Sequence, residues 1–542
     1  MKMSEETSEG LEEARKRNKH LSEYLDELQK TNKTVPVFMP QLSRELALEK
    51  TPNLIYPVGD PIFIHICTEP GMDIQYIVIE PRLKPDEINK FNLIVEKVLE
   101  KGLKKNIQVS KENLKKTLSS LLDEVLLVEG GKKPKWSSPI AVTREEYDKF
   151  GYLLIMDIID SGPVEATQRD PYLEDIHCVG LNPVSVVHKI FGNIGTNIRF
   201  DSKQSIDNWL RTMGERIGRP IGDANPIAGG TLPSGSRIAI AYSDDVSRRG
   251  SSFTIRKFTK TPMSITQLIK FGTMSSQEAA YLWLCLENGM SVFLCGETAS
   301  GKTAAMNATL VFIDPKAKIY SAEDATEVTP PHDVWQQLAT KEDGAEESQV
   351  HMFTLLKAAL RSRPNYIIVG EIRGVEGAVA FQAMQTGHPV MSTFHASSVR
   401  KMIQRFIGNP ISVPVTFIDN LNVCVVLHAL YRNGLLIRRV TAIEELEGYF
   451  EEAGGVVTRA VFQWNPADDK HEFRGLNNSF ILEDKIAGRQ GYKDKRKIYD
   501  ELETRAKILD AMVENEVFDF MKTFEIAKAY REKGLQGIPF PV

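Results

Sequence analysis

At 542 residues the chain is too long for one hydrophobic core, so about two to four domains are expected. Its 42% hydrophobic and 26% charged residues are those of an ordinary folded soluble protein. A net charge of −5, from 67 basic and 72 acidic residues, argues against a general polyanion binder, and no apolar run approaches the roughly 20 residues that span a bilayer.

Residues 1 to 35 are strongly charged, and MKMSEETSEGLEEARKR lacks the apolar centre of a signal peptide, which predicts a cytoplasmic protein with no direct membrane insertion. Leu11, Ala14, Leu21, Leu25 and Leu28 nevertheless recur near helical spacing. This N-terminal arm is either solvated or a short helix that docks on a partner.

From Val35 to Leu83 the pattern changes to short strand-like runs such as PIFIHI and IQYIVIE. Helices are predicted near 85–101 and 110–128, the first opening on Pro85 with Asp86 and Glu87 in its first turn. GGKKPKWSSP (130–139) breaks the pattern, and Thr143 and Glu146 then stand at capping-box spacing for a helix towards Ile159. Residues 163–260 read as mixed α/β, with strands in SRIAIAY and SSFTIRKF, and TKTPMS (259–264) reads as a hinge.

Beyond it, strands at 291–295, 318–321, 366–370, 389–393 and 422–428 alternate with helices in the order of a parallel sheet. After Thr441 a more irregular tail containing VFQWNP leads to a helical stretch over 493–533. The five cysteines form no Cys-x-x-Cys pair and read as buried free thiols.

VFLCGETASGKTAAM, from Val292 to Met306, runs a buried strand into a glycine-rich loop and then into alanines. Gly296, Glu297, Thr298, Ala299, Ser300, Gly301, Lys302 and Thr303 fit the phosphate-loop spacing without a gap. Glycines permit the backbone curl that aims N–H groups at phosphate oxygens, and the helix beginning near Lys302 adds its positive end. Lys302 supplies a point charge to the β- and γ-phosphates, and Thr303 offers a hydroxyl to Mg²⁺.

Glu323 and Asp324 in IYSAEDATE, and Glu371 in YIIVGEIRG, end the strands that follow. Either acidic cluster alone reads as a helix cap or solvated turn; two in order behind a phosphate loop read as groups that polarise water or hold Mg²⁺. TGHPVMSTFHASS adds His388 and His395, which read alone as structural histidines and beside a γ-phosphate as reporters of it. No further His or Cys stands at zinc-ligand spacing.

The ordered set GETASGKT, AEDATE, RSRPNYIIVGEIR and TGHPVMSTFHA resembles the Walker A, Asp box, Walker B and His box of the secretion ATPase superfamily. Upstream, DPYLEDIHCVG (170–180) is similar to that family's acidic entry motif and GGTLPSGSRIAIAY (229–242) to its Leu-Pro-x-Gly-Ser-Arg segment. IYPVGDPIFIHI, YIVIEPRL, GSSFTIRKF and VFQWNPADD look like the archaeal branch, most of all the archaellum motor ATPase.

The resemblance implies an α/β fold with a RecA-like phosphate-loop domain (265–542), a mixed α+β domain (36–260) and a hinge at 261–264 between them. It implies a hexameric ring that uses ATP and Mg²⁺ at the cytoplasmic face of the membrane. A polytopic membrane platform protein and cytoplasmic motor accessory proteins would be its partners, and nucleic acid would not. Lys302 and Thr303 would grip MgATP, Glu371 would activate water or share the metal, Glu323 would assist, and His395 and His388 would couple nucleotide to the interface. Arg237 and Arg256 match positions that present arginines to the phosphates; each on its own reads as a surface salt bridge. Glu297 and Ala299 replace the proline and glycine of many bacterial relatives, and the missing tetracysteine insertion argues against the type II branch. Glutamate at 371, where many NTPases have aspartate, leaves the direct metal ligand open.

Two further functions fit the motifs. One keeps the enzyme and changes the cargo to pili or secreted protein. The other is a nucleic-acid translocase, opposed by the acidic balance and the lack of basic–aromatic interleaving around GKKPKW and VSRRGSS.

Overall fold

The computed structural model describes residues 2–68, 71–103, 111–129, 139–258, 261–341, 347, 349–432, 435–452 and 454–542. The basic run GKKPKW and the first two residues of TKTPMS lie outside them. The chain divides into two compact units, Met1–Phe258 and Thr259–Val542.

In the first unit a ten-stranded sheet runs in the order Val37–Phe38, Asn53–Pro57, Phe63–Cys67, Gln75–Ile79, Gly192–Thr196, Ser185–His188, Leu173–Val179, Ser252–Arg256, Arg237–Ala241, Ile227–Thr231. Pairing is antiparallel except at Val37–Phe38 on Asn53–Pro57 and Gln75–Ile79 on Gly192–Thr196. The helix Lys203–Arg216 buries Ile206, Trp209, Leu210 and Met213 in the core of this unit.

The charged arm forms helices over Lys2–Arg17 and Lys19–Lys30. Leu21, Leu25 and Leu28 cluster with Phe38, Ile55, Phe63 and Ile79, so the apolar stripe covers the chain's own sheet. Each such leucine contributes about 1.5–3 kcal/mol by leaving water. The helices Ile88–Gly102, Lys111–Val125 and Arg144–Ile158 share a separate core with a two-stranded parallel ladder. Thr143 and Glu146 cap the third reciprocally, Glu146 N donating to Thr143 Oγ1 at 3.1 Å and Thr143 N to Glu146 Oε2 at 2.8 Å. The first begins at Ile88 rather than Pro85, because Glu87 bends its carboxylate back to accept from Lys84 N at 2.8 Å and closes a turn over 84–87.

In the second unit a nine-stranded sheet runs in the order Trp335–Ala339, Ile319–Glu323, Tyr366–Ile372, Val390–Phe394, Val292–Gly296, Val423–Arg432, Leu435–Phe450, Gly455–Asn465, Lys470–Phe473. The first six are parallel and the rest antiparallel. Val292–Gly296, Ile319–Glu323 and Val390–Phe394 are buried at every residue, because both faces are covered. Val292 and Leu294 join one core while Phe293 and Cys295 join the other.

Two expectations fail here. The strand Trp335–Ala339 was not expected, since its exposed Gln336 and Gln337 mark an edge with little apolar signal. The region after Thr441 is not irregular: Leu435–Phe450 and Gly455–Asn465 are long strands that extend the parallel sheet. Register shifts and the charged residues along them hide the alternation that sequence patterning relies on. The terminal helices are Ile498–Glu514 and Phe520–Lys533. Among the described residues no helix is long and apolar enough to cross a membrane.

Candidate nucleotide site

Gly296, Glu323, Glu371 and His395 stand at or just beyond the C-terminal ends of four parallel strands, where an open α/β sheet gathers its ligand-binding groups. The strand Val390–Phe394 lies between the phosphate-loop strand and the one carrying Glu371, which leaves a strand's width between lysine and glutamate. His395 fills it.

The loop curls because three positions permit it. A Cβ on Gly296 would lie 2.4 Å from both Leu427 O and Ser300 Oγ, so no larger residue fits there. Ala299 and Gly301 both have positive φ, +61° and +92°. Gly301 caps the helix Lys302–Thr309, and Lys302 and Thr303 open its first turn. Lys302, 7% exposed, donates to Gly296 O at 3.0 Å and Glu297 O at 2.8 Å. Burial lowers its pKa, an effect partly offset by the charge of Glu371. Ser300 Oγ is buried without a hydrogen-bond partner. A glycine-shaped cradle, a buried ammonium and an unpaired hydroxyl fit a polyphosphate with its cation.

A β-bulge aims the catalytic candidate. Register between Tyr366–Ile372 and Val390–Phe394 shifts at Gly370, whose carbonyl accepts from Thr393 Oγ1 at 2.7 Å. Arg373 Nη2 donates to Glu371 Oε2 at 2.6 Å and fixes that half of the carboxylate. Oε1 lies 2.9 Å from His395 Nε2 and makes no hydrogen bond. His395 Nδ1 faces Lys302 Nζ at 3.5 Å; an ammonium only donates, so the imidazole proton sits on Nε2. Burial and then the charge of Lys302 push the His395 pKa below its ordinary value, although Glu371 pulls the other way.

Glu323 stands differently. It is fully buried; Oε2 accepts from Glu327 N at 2.5 Å and Val328 N at 2.8 Å, and Oε1 from Gln337 Nε2 at 3.1 Å. Burial raises its pKa. Its carboxylate therefore ties down the loop after its strand. Gly370 lets the two carboxylate strands approach, since a Cβ there would lie 3.3 Å from Glu323 Cγ.

His388 is not brought to this site. It precedes the strand Val390–Phe394, which spans about 13 Å at roughly 3.3 Å per residue, and so stands at the opposite end from His395. It contacts Thr386 instead.

Arg237 and Arg256 belong to the first unit, where they are cross-strand partners on neighbouring strands. Arg256 Nε donates to Asp175 Oδ1 at 3.3 Å with its side chain 64% exposed; Arg237 is exposed and makes no side-chain hydrogen bond or ion pair among the described residues. Asp170, from the acidic entry motif, is buried and accepts from Tyr56 Oη at 2.7 Å and Tyr76 Oη at 2.8 Å, a structural position.

Sequence reasoning missed two arginines. Arg373 sits two residues beyond Glu371 and could have been found as the cation beside a strand-end acid. Arg438 donates from Nε to Ala299 O at 3.0 Å across 139 residues of chain, and nothing local signals it.

Residues 161–418 match the family described as Type II/IV secretion system protein. Over 542 residues the chain is 56% identical to the Uncharacterized protein MJ0900 of Methanocaldococcus jannaschii, covering 98% of each. It is 28% identical over 204 residues to Protein VirB11 of Rhizobium radiobacter, covering 33% of this chain and 60% of that one. Among solved structures, the ATPase DotB of Yersinia pseudotuberculosis aligns at 16% identity and a TM-score of 0.39, over 74% of this chain and 98% of that one.

Proposed function

The chain belongs to the type II/IV secretion system protein family, and from that premise we propose that it is an ATP-hydrolysing hexameric motor that assembles and turns an archaellum filament. It would push, through nucleotide-driven domain motion, on a polytopic membrane platform protein. The observation that carries the ATPase reading is the line Lys302, His395, Glu371 at the strand ends beside the phosphate loop. The archaeal cargo is supported by the full-length relative in an archaeon, together with the archaellum-like segments of the first unit.

In this reading Lys302 exchanges Gly296 O and Glu297 O for β- and γ-phosphate oxygens, and the amides of 298–303 receive the rest. Mg²⁺, held by Thr303 with Glu371 through its water shell, would neutralise charge on the phosphates. Glu371 Oε1, free of hydrogen bonds and locked by Arg373 on its other oxygen, orients the attacking water and takes its proton. His395 touches both lysine and glutamate, and so relays the state of one to the other. Arg237 and Arg256 would serve the phosphates as arginine fingers; such groups contribute about 10³–10⁵ in rate. Glu323 would act at one remove, by holding the loop after its strand.

Lys302→Ala tests the site: steady-state ATP turnover is expected to fall to background with the melting temperature within a few degrees of wild type. Intact turnover would sink the ATPase reading. A second reading, pilus assembly or protein secretion, is favoured by the similarity to Protein VirB11 across the third of the chain that they share. Scoring swimming and piliation separately in a strain carrying Lys302→Ala separates the two, since only the archaellum reading predicts loss of swimming with pili retained.

A further inference from the structure

The side chain of Arg438, on the antiparallel strand Leu435–Phe450, reaches the phosphate loop. Arg438 Nε donates to Ala299 O at 3.0 Å, and its stem runs beside Gly301, where a Cβ would lie 3.2 Å from Arg438 Cδ. Ala299 is the one residue of Gly296–Thr303 other than glycine with positive φ, +61°, a conformation that strains alanine and costs glycine nothing. A contact from outside the loop adds to the loop's own Ser300 N to Glu297 O bond in holding it there. The strand carrying Arg438 is itself fixed by the next residue: buried Arg439 clamps Asp469 through Nε at 2.8 Å and Nη2 at 2.9 Å, and donates from Nη1 to Phe271 O at 3.1 Å. A register shift between Val426 and Leu427 adjusts this strand pair beside Gly296, which is paired with Leu427.

We propose that Arg438 is a positioning residue of the nucleotide site, holding Ala299 in its left-handed conformation so that the loop amides stay turned towards the phosphates. This rests on the nucleotide reading of the loop. The antiparallel extension of the sheet thereby acts on the phosphate site, because any shift of its anchored strand moves the donor that shapes the loop. The role is assigned to the Nε donor, because it is this group that bonds the Ala299 carbonyl.

Two comparisons test this on the full-length protein, with a fluorescent (mant) ADP and Mg²⁺ for binding and steady-state turnover for kinetics. Arg438→Ala is expected to weaken mant-ADP binding about tenfold and to raise KM for MgATP similarly, with a smaller change in kcat. Arg438→Gln places an amide nitrogen at the same point along the side chain as Nε, without charge, and is expected to bind within about threefold of wild type. The loss on Arg438→Ala should shrink to under about twofold when measured in an Ala299→Gly background, because glycine adopts the loop conformation unaided.

Wild-type affinity in Arg438→Ala overturns the proposal. So does an Arg438→Gln defect as large as that of alanine, which would assign the residue to charge, or an undiminished loss in the Ala299→Gly background. If the wild-type protein fails to bind mant-ADP at all, the nucleotide reading falls first and this inference with it.

Discussion

At the scale of single residues, the two oxygens of Glu371 have different work. Oε2 is tied to Arg373, whereas Oε1 is buried, close to His395 without a hydrogen bond, and open to a further partner. Glu371→Gln keeps the shape and the Arg373 contact but cannot take a proton. It is expected to lower kcat at least about 100-fold, with mant-ADP affinity within about threefold. Unchanged turnover in a steady-state assay would remove Glu371 from the chemistry. Glu323 shows why a strand-end acid is ambiguous in sequence: its neighbours in AEDATE gave no sign that two backbone amides and a glutamine would occupy it.

At the scale of elements, the C-terminal hairpins are joined to the helix Ser276–Glu287 through a buried ionic contact. His471 Nδ1 lies 2.9 Å from Glu278 Oε2, and Glu278 also caps its helix by accepting from Ser275 N at 2.8 Å. Burial pushes the His471 pKa down, but the hydrogen bond and charge of Glu278 outweigh it and the net direction is up; burial raises Glu278 as well. The folded pair thus holds a proton more tightly than the unfolded chain does. The histidine's share of this stabilisation is complete below about pH 6.5, the ordinary histidine value, and fades as pH rises through the raised value. Thermal unfolding of wild type and His471→Gln should show the largest gap at pH 6 and a smaller one at pH 9. A gap that grows with pH would contradict this assignment of the proton.

At the scale of the whole molecule, each unit has its own cores, those of the second being built solely from residues within Thr259–Val542. The fragment 259–542 is therefore expected to fold by itself, melt cooperatively and bind mant-ADP, since loop, lysine and glutamate all lie within it. It lacks Arg237 and Arg256, and its turnover should fall about 10³-fold or more. Full turnover by the isolated fragment would exclude both arginines from catalysis.

What the sequence determined by itself is local. The phosphate loop, the strands expected at 366–370 and 389–393 and the Thr143–Glu146 cap depend on neighbours a few residues apart, where spacing and side-chain chemistry act directly. Tertiary structure decided what depends on distant partners. It paired 435–450 and 455–465 with the parallel sheet and brought Arg438 to Ala299. It left His388 at the far end of a strand from His395 and laid the leucine stripe of the arm on its own sheet. The reason is physical: a helix cap or a glycine turn is settled by local backbone geometry, whereas a cross-strand register or a buried hydrogen bond exists only once packing has excluded water from both partners.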